Sequence, residues 1–226
     1  MSQSAATVAV LVPAHQEAAV IAATLRALLP LGHTVVVIDD GSTDDTFAQL
    51  QSLPVHYLRH PVNLGQGAAL QTGMRYAQRL GVDYVVHFDA DGQHEPADIK
   101  ALLAPLQAGE AEVALGSRFL PGGQADGISP GRRLLLRVAI MVNWWMTGVR
   151  LSDAHCGLRA LTRQAMASIE LHQPGMAHAT ELLSELRRHR LSYCEVPVRV
   201  RYDAYSRQKG QSGWQAIHVL GDLLGL

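Results

Sequence analysis

The run Tyr84-Val85-Val86-His87-Phe88-Asp89-Ala90-Asp91-Gly92-Gln93-His94 decides the reading of this chain, because an apolar, β-rich segment ends in two alternating carboxylates. Strand geometry sends Asp89 and Asp91 to one face with the small Ala90 between them, and Gly92 frees the backbone to turn. Neighbouring carboxylates repel unless something positive sits between them. A hard divalent cation such as Mg²⁺ or Mn²⁺ suits that place, since it takes oxygen ligands and leaves positions open for phosphate oxygens. An acidic turn closing a hairpin is the competing reading of this segment taken alone.

Upstream, residues 8–12 and 35–38 are short β-branched runs that end in polar clusters, and residues 18–29 between them carry apolar side chains at helical spacing. The same logic continues with a helix over 44–53, a strand over 55–58, a helix over 67–80, the strand 84–88, a helix over 96–106 and a strand over 113–116. Alternating β and α elements predict an α/β fold with a parallel-rich sheet between helices. In such sheets ligands gather at the carboxyl ends of the strands, where residues 13–17, 39–42 and 89–94 fall. Beyond 117 the pattern changes to a Gly/Pro-rich loop at 121–131, an apolar helix at 134–145, a loop at 153–157, a helix through 181–188, a strand at 193–200 and a polar tail at 202–213. No repeat or linker divides the chain, so a single domain over 1–226 is expected.

The bulk composition narrows the function classes. With 226 residues, 48% hydrophobic, 17% charged and a formal net charge of -1, the chain suits one globular domain and lacks the basic excess of a nucleic-acid binder. Cys156 and Cys194 stand far apart, so neither a disulfide framework nor a zinc site is indicated and a reducing cytoplasm is the default. Residues 1–7 lack the positive charge of a secretory signal. The most lipophilic stretch, 134–149, contains Arg137 and Asn143 and is flanked by Arg132, Arg133 and Arg150; it is too short and interrupted to span a bilayer.

At the second strand end, Asp39-Asp40-Gly41-Ser42-Thr43-Asp44-Asp45-Thr46 combines acceptors, a turn glycine and capping residues. Capping accounts for Ser42 and Asp44. It accounts less well for Asp40, whose carboxylate can accept from a base N–H or ribose hydroxyls. Three acidic strand ends on one rim could hold a nucleotide diphosphate through its base, ribose and metal-bound phosphates. In series, Pro13-Ala14-His15-Gln16-Glu17, Asp39-Asp40-Gly41-Ser42, Asn63-Leu64-Gly65, Asp89-Ala90-Asp91-Gly92-Gln93-His94 and Gly116-Ser117-Arg118-Phe119 resemble the family 2 glycosyltransferases of the GT-A fold. The resemblance covers residues 8 to about 215 and is nearest to the dolichol-phosphate mannosyltransferase and polyprenyl-phosphate glycosyltransferase branch.

That resemblance implies a nucleotide-sugar-binding half at 8–118 and an acceptor-side half at 119–226, with an interfacial helix at 132–150 and a mobile basic tail at 202–213. Pro13, His15, Glu17, Ile38 and Asp40 would line the nucleoside pocket, Asp89 and Ala90 would meet the ribose and diphosphate, and Asp91 with Gln93 would hold Mg²⁺ or Mn²⁺. His15 and Gln16 stand where the family usually has Tyr and Asn, which leaves the identity of the base open. His94 reads as a cap or a neighbour of the metal ligands. Arg118 and Arg132, with guanidinium forks suited to phosphate, would join Asp91 as the catalytic set near the acceptor phosphate or the donor diphosphate. Arg207, Lys209 and Ser212 lie in a tail resembling a loop that closes over the diphosphate; a solvated basic tail is the plain alternative.

The expected activity is metal-dependent, inverting transfer of a sugar from a UDP- or GDP-sugar, most simply to a polyprenyl or dolichyl phosphate. Such a phosphate is already anionic near neutral pH and needs no strong base, so the metal and the arginines stabilise the leaving group. A sugar hydroxyl as acceptor would require a carboxylate base, with Asp153 and Glu181 as candidates. Glu185 and Arg188, one turn beyond Glu181, also fit an exposed helix face. Residues 132–150 suit either a helix at a membrane surface, placing the protein peripherally at the inner face of the cytoplasmic membrane, or a helix packed on the sheet. A nucleotidyltransferase would carry a glycine-rich, lysine-bearing loop where Pro13 to Glu17 stand, and a non-catalytic nucleotide-sugar module is the remaining rival.

Overall fold

Strand β1 (Val8–Ala14) is buried along its whole length. It pairs in parallel with β2 (Thr34–Asp39) and β4 (Tyr84–His87), and β2 pairs in parallel with β3 (His56–Arg59). The computed structural model describes residues 6–153, 156–173, 175 and 177–202, with position 132 described by its backbone alone. Strands β5 (Val113–Ser117) and β8 (Tyr193–Pro197) also run parallel, and β7 (Arg159–Thr162) lies between β4 and β5, antiparallel to both. The seven-stranded order is β3-β2-β1-β4-β7-β5-β8, the mostly parallel sheet that the alternating pattern predicts.

Both faces of the sheet are covered, which is why its strands read as nearly continuous apolar runs. Val8, Val10, Val12, Val35 and Val37 pack with Leu25 of α1 (Ile21–Leu28) and Leu102 of α3 (Asp98–Gln107). Their alternates, Ala9, Leu11, Val36 and Ile38, pack with Met74 of α2 (Gln66–Leu80), Met166 of α5 (Arg163–Ser168) and Leu182 of α6 (His178–Arg188). Fixing these side chains on two sides pins the strand register and thereby the places where the three acidic loops leave the sheet.

Several elements differ from expectation. Residues 44–53 form turns and a single 3₁₀ turn over Ala48–Leu50 rather than a helix. Asp44 explains this: its carboxylate takes the Thr46 N–H (3.1 Å), the Thr46 hydroxyl (2.5 Å) and the Ala18 N–H (3.1 Å), and such local bonds compete with helix. The strand expected over 193–200 splits after Pro197 into β8 and β9 (Arg199–Arg201), which joins β6 (Gln124–Asp126) in a separate parallel pair. Val198 makes the join, its N–H donating to Ser117 O (3.0 Å) and its O accepting from Gln124 N–H (3.0 Å).

Helix α4 (Pro130–Thr147) packs in an unusual sense. Two of its uncharged polar residues are inside, Asn143 and Thr147 being only 1% and 3% exposed. The Thr180 hydroxyl donates to Asn143 Oδ1 (2.7 Å) and Arg187 Nη1 donates to Thr147 O (3.0 Å), tying α4 to α6. Leu134, Met141 and Trp145 face outward at 64%, 60% and 81% exposure. Among the described residues no helix is long and apolar enough to cross a membrane.

Candidate active site

Register brings the three acidic strand ends together. Pro13 lies opposite Ile38 and Ala14 opposite Asp39, while the Phe88 N–H donates to Leu11 O (2.9 Å). His15 Nδ1 bonds Asp40 O, Gln16 N–H donates to Ser42 Oγ and Glu17 N–H donates to Thr46 Oγ1, each at 3.0 Å. Asp39 is fully buried and accepts from Ser42 N–H (2.8 Å) and the Tyr57 hydroxyl (2.6 Å). Asp40 is buried beside it, with Oδ1 bound by His60 Nδ1 (2.7 Å) and Leu64 N–H (2.9 Å) and Oδ2 by Gly65 N–H (2.7 Å).

Beyond β4 the two carboxylates of the opening run are treated differently. Asp89 accepts from Gln66 Nε2 (2.8 Å) and pairs with His94 Nε2 (3.2 Å). Burial works to raise its carboxyl, but the hydrogen bond and charge of His94, with Arg159 and His178, bring it below the usual value. Asp91 is pushed up to about 6, first by burial and then by the negative charge of Asp89, with Glu17 adding to it. Gln93 closes on Asp91 twice, backbone N–H to Oδ1 (3.1 Å) and Nε2 to Oδ2 (2.6 Å). Among the described residues no three His, Cys, Asp or Glu side chains converge to hold a metal by themselves.

Gly157 lets a fourth segment reach this rim. A Cβ there would lie 1.9 Å from Asp89 Oδ2, so any side chain would expel the carboxylate from its place. The family model for glycosyl transferase family 2 matches residues 9–168, which contain all four of these segments. The chain belongs to glycosyl transferase family 2.

It is 27% identical over 220 residues to the UDP-N-acetylglucosamine--dolichyl-phosphate N-acetylglucosaminyltransferase of Methanococcus voltae, covering 88% of each chain. It is 33% identical over 174 residues to the polyprenol monophosphomannose synthase of Mycolicibacterium smegmatis, covering 73% of this chain and 65% of that one. Its fold matches the crystal structure of glucosyl-3-phosphoglycerate synthase from Mycobacterium tuberculosis in complex with Mn²⁺, UDP-glucose and phosphoglyceric acid, with a TM-score of 0.69 at 22% identity over 98% of this chain and 81% of that one. The architecture is GT-A.

In this family 2 glycosyltransferase the structure brings Pro13, His15, Glu17, Asp40, Asp89, Ala90, Asp91 and Gln93 to the rim. Ile38 stands at the same strand end with its side chain fully buried in the core beneath α2; at the end of a doubly covered strand, alternation turns it inward. Arg118 is not a free fork. Its Nε donates to Asp153 Oδ2 (2.5 Å), its Nη2 to Asp153 Oδ1 (3.2 Å) and its Nη1 to the Tyr202 hydroxyl, and the Asp153 carboxylate outweighs burial to raise its pKa. Glu181 accepts the His172 N–H (3.0 Å) and Gln173 N–H (2.8 Å), so it fastens a loop. Arg132 lies in α4 with its side chain outside the described positions, and Arg207, Lys209 and Ser212 lie outside the described residues.

Sequence reasoning missed His60 and Gln66, which hold Asp40 and Asp89, and Arg159, a buried cation whose Nε donates to Cys156 O (3.0 Å). Gln66 carried a faint signal, following directly on Asn63-Leu64-Gly65; His60 carried none. Cys156 offers no nucleophile, because burial pushes its thiol up to about 12.

Proposed function

We propose that the chain transfers a sugar from a nucleotide diphosphate donor, a UDP- or GDP-sugar, to a polyprenyl or dolichyl phosphate, in one displacement that inverts the anomeric carbon. The observation that carries this reading is the meeting of Glu17, Asp89 and Asp91 on one rim, where crowding and burial hold the Asp91 carboxyl up at about 6. A divalent cation held beside Asp91 would relieve that crowding. Pro13, His15, Glu17 and Asp40 form the nucleoside side, and Asp89 with Ala90 meets the ribose and diphosphate.

Mg²⁺ or Mn²⁺ fits these residues. Asp91 and Gln93 offer hard carboxylate and amide donors, which suit a cation that keeps further positions for phosphate oxygens and water. Asp91 and Gln93 would hold it, and when bound it supplies positive charge to the departing nucleotide diphosphate. The names of the relatives support the same chemistry: a UDP-linked sugar with dolichyl phosphate in one, polyprenol monophosphomannose in another, and Mn²⁺ with UDP-glucose in the solved structure.

Two observations favour a phosphate acceptor over a hydroxyl. Both carboxylates suited to act as a base are occupied, Asp153 by Arg118 and Glu181 by the N–H groups of His172 and Gln173; a phosphate oxygen needs neither. The outward face of α4 is apolar, with a groove of about 600 Å³ lined by Met141, Val142, Trp144 and Trp145. Arg133, Arg137 and Arg150 are exposed along it, Arg150 lying 4.9 Å over the Trp144 ring. Aromatic and basic side chains together suit an anionic membrane surface from which a prenyl chain enters, in keeping with a peripheral protein, which this reading puts at the cytoplasmic face. Arg118 would reach a phosphate by releasing an oxygen of Asp153, and Arg132, Arg207 and Lys209 are the other cations assigned to the phosphates.

Thermal melts with nucleotide sugars and Mn²⁺ test the donor assignment, since a ligand that binds only the folded chain raises its melting temperature. A UDP- or GDP-sugar should raise it with Mn²⁺ present. No shift with any nucleotide sugar would contradict the assignment.

A further inference from the structure

Asp40 and Asp89 belong to different strand ends, yet one short segment touches both. His60 Nδ1 (2.7 Å) and the N–H groups of Leu64 (2.9 Å) and Gly65 (2.7 Å) bind Asp40, and Gln66, the next residue, donates from Nε2 to Asp89 Oδ1 (2.8 Å). The His60 ring is pinned on its other side by Thr72 Oγ1 of α2 (2.9 Å), and its backbone N–H donates to Asp39 O (2.9 Å). Gly41 makes the close approach possible: with φ at 71°, a Cβ there would lie 2.5 Å from the Val62 carbonyl carbon. His60 is buried and Gln66 half-buried at the first turn of α2.

We propose that residues 60–66 act as a strut that sets the nucleoside end of the donor site against its diphosphate end, with His60 and Gln66 as positioning residues. The inference rests on the donor-site reading above. His60 fixes the Asp40 carboxylate so that its remaining lone pairs point in one direction, and Gln66 fixes Asp89 beside Asp91. Groups standing behind a ligand-binding carboxylate commonly change metal affinity by about 10–100-fold when removed. A strut of this kind makes the two ends respond separately, because each residue holds a different carboxylate.

Titration calorimetry of UDP and of GDP, each with and without Mn²⁺, tests this on the parent chain and on His60→Ala, His60→Asn and Gln66→Met, with circular dichroism confirming that each is folded. His60→Ala should weaken the bound nucleotide by about tenfold whether or not Mn²⁺ is present. His60→Asn keeps an N–H donor near the position of Nδ1 and should restore most of the loss. Gln66→Met keeps the volume and loses the donor; it should bind nucleotide as the parent does without Mn²⁺ and lose about tenfold with it. Parent-like affinity in either His60→Ala or Gln66→Met under both conditions would overturn the strut, as would His60→Asn binding no better than His60→Ala. If the parent itself binds neither nucleotide under any condition, the donor reading fails and the strut falls with it.

Discussion

Arg118 and Asp153, 35 residues apart, form a buried pair in which the carboxylate takes Nε at 2.5 Å, Nη2 at 3.2 Å and the Arg118 backbone N–H at 3.2 Å. Glu195 supports the arrangement from behind, accepting the Ser152 N–H (2.8 Å), the Ser152 hydroxyl (2.7 Å) and the Asp153 N–H (3.3 Å). Removing one partner of such a pair strands a charge in the interior. Asp153→Ala should therefore cost about 3–5 kcal/mol of folding stability, read from denaturant midpoints. An Asp153→Leu, Arg118→Met double variant should recover much of that loss, since it leaves no stranded charge. A cost below about 1 kcal/mol for Asp153→Ala, the value of a surface pair, would mean the pair is solvated.

Asp91 makes a prediction about pH. Its carboxyl is raised from 3.8 to about 6 by burial and by Asp89. The folded chain therefore keeps that proton at pH values where the unfolded chain has released it, so ionising Asp91 costs stability in full above about pH 6 and not at all below 3.8. Without divalent ions, Asp91→Asn should be more stable than the parent near about pH 8, by on the order of 1 kcal/mol, and the two should converge toward acid. Mn²⁺ should then raise the melting temperature of the parent and leave the variant unmoved. Equal melting at every pH would contradict the raised carboxyl.

His87 titrates in the opposite sense. It is 2% exposed, neither ring nitrogen has a hydrogen-bond partner among the described residues, and burial first, then the charges of Arg159 and His178, push its pKa from 6.5 down to about 3. The unfolded chain takes up a proton below 6.5 that the folded chain refuses, so stability is intact above 6.5 and falls as the pH drops toward 3. His87→Leu should match the parent within about 1 kcal/mol at neutral pH, because no hydrogen bond is lost. Below about pH 6 it should hold its stability better than the parent. A parent that loses no more than the variant in acid would show that the imidazole is solvated.

The face of α4 is tested by flotation with anionic vesicles. Trp145 is 81% exposed, so Trp145→Glu should leave the melting temperature unchanged within the usual surface range of about 0.5 kcal/mol while abolishing flotation. A parent that fails to float on anionic vesicles would remove the lipid-surface reading.

The extent to which this molecule was legible beforehand follows the range of each interaction. β1, β2, β4 and α2 were readable because their apolar residues repeat at the spacing of the element that buries them, a local property. The acidic strand ends followed from where those runs stop. Strand β7 was missed because four residues, Arg159 to Thr162, carry no period of their own and are strand only through pairing with β4 and β5. The turns at 44–53 were missed because Asp44 prefers bonds to Ala18 and Thr46 over helix. In the site, Asp89 and Asp91 could be named from their alternation, but their different ionisation depends on burial and on His94, Arg159, His178 and Glu17 brought in by the fold. Arg118 read as a phosphate fork because its partner lies 35 residues away.

The most direct test of the account is transfer of labelled sugar from a nucleotide diphosphate to polyprenyl phosphate, with Mn²⁺, by the parent chain and by Asp91→Ala shown to be folded. The account predicts metal-dependent transfer by the parent and a loss of about a hundredfold or more in the variant. Transfer by Asp91→Ala at the parent rate would contradict the assignment of Asp91 to the metal and the diphosphate.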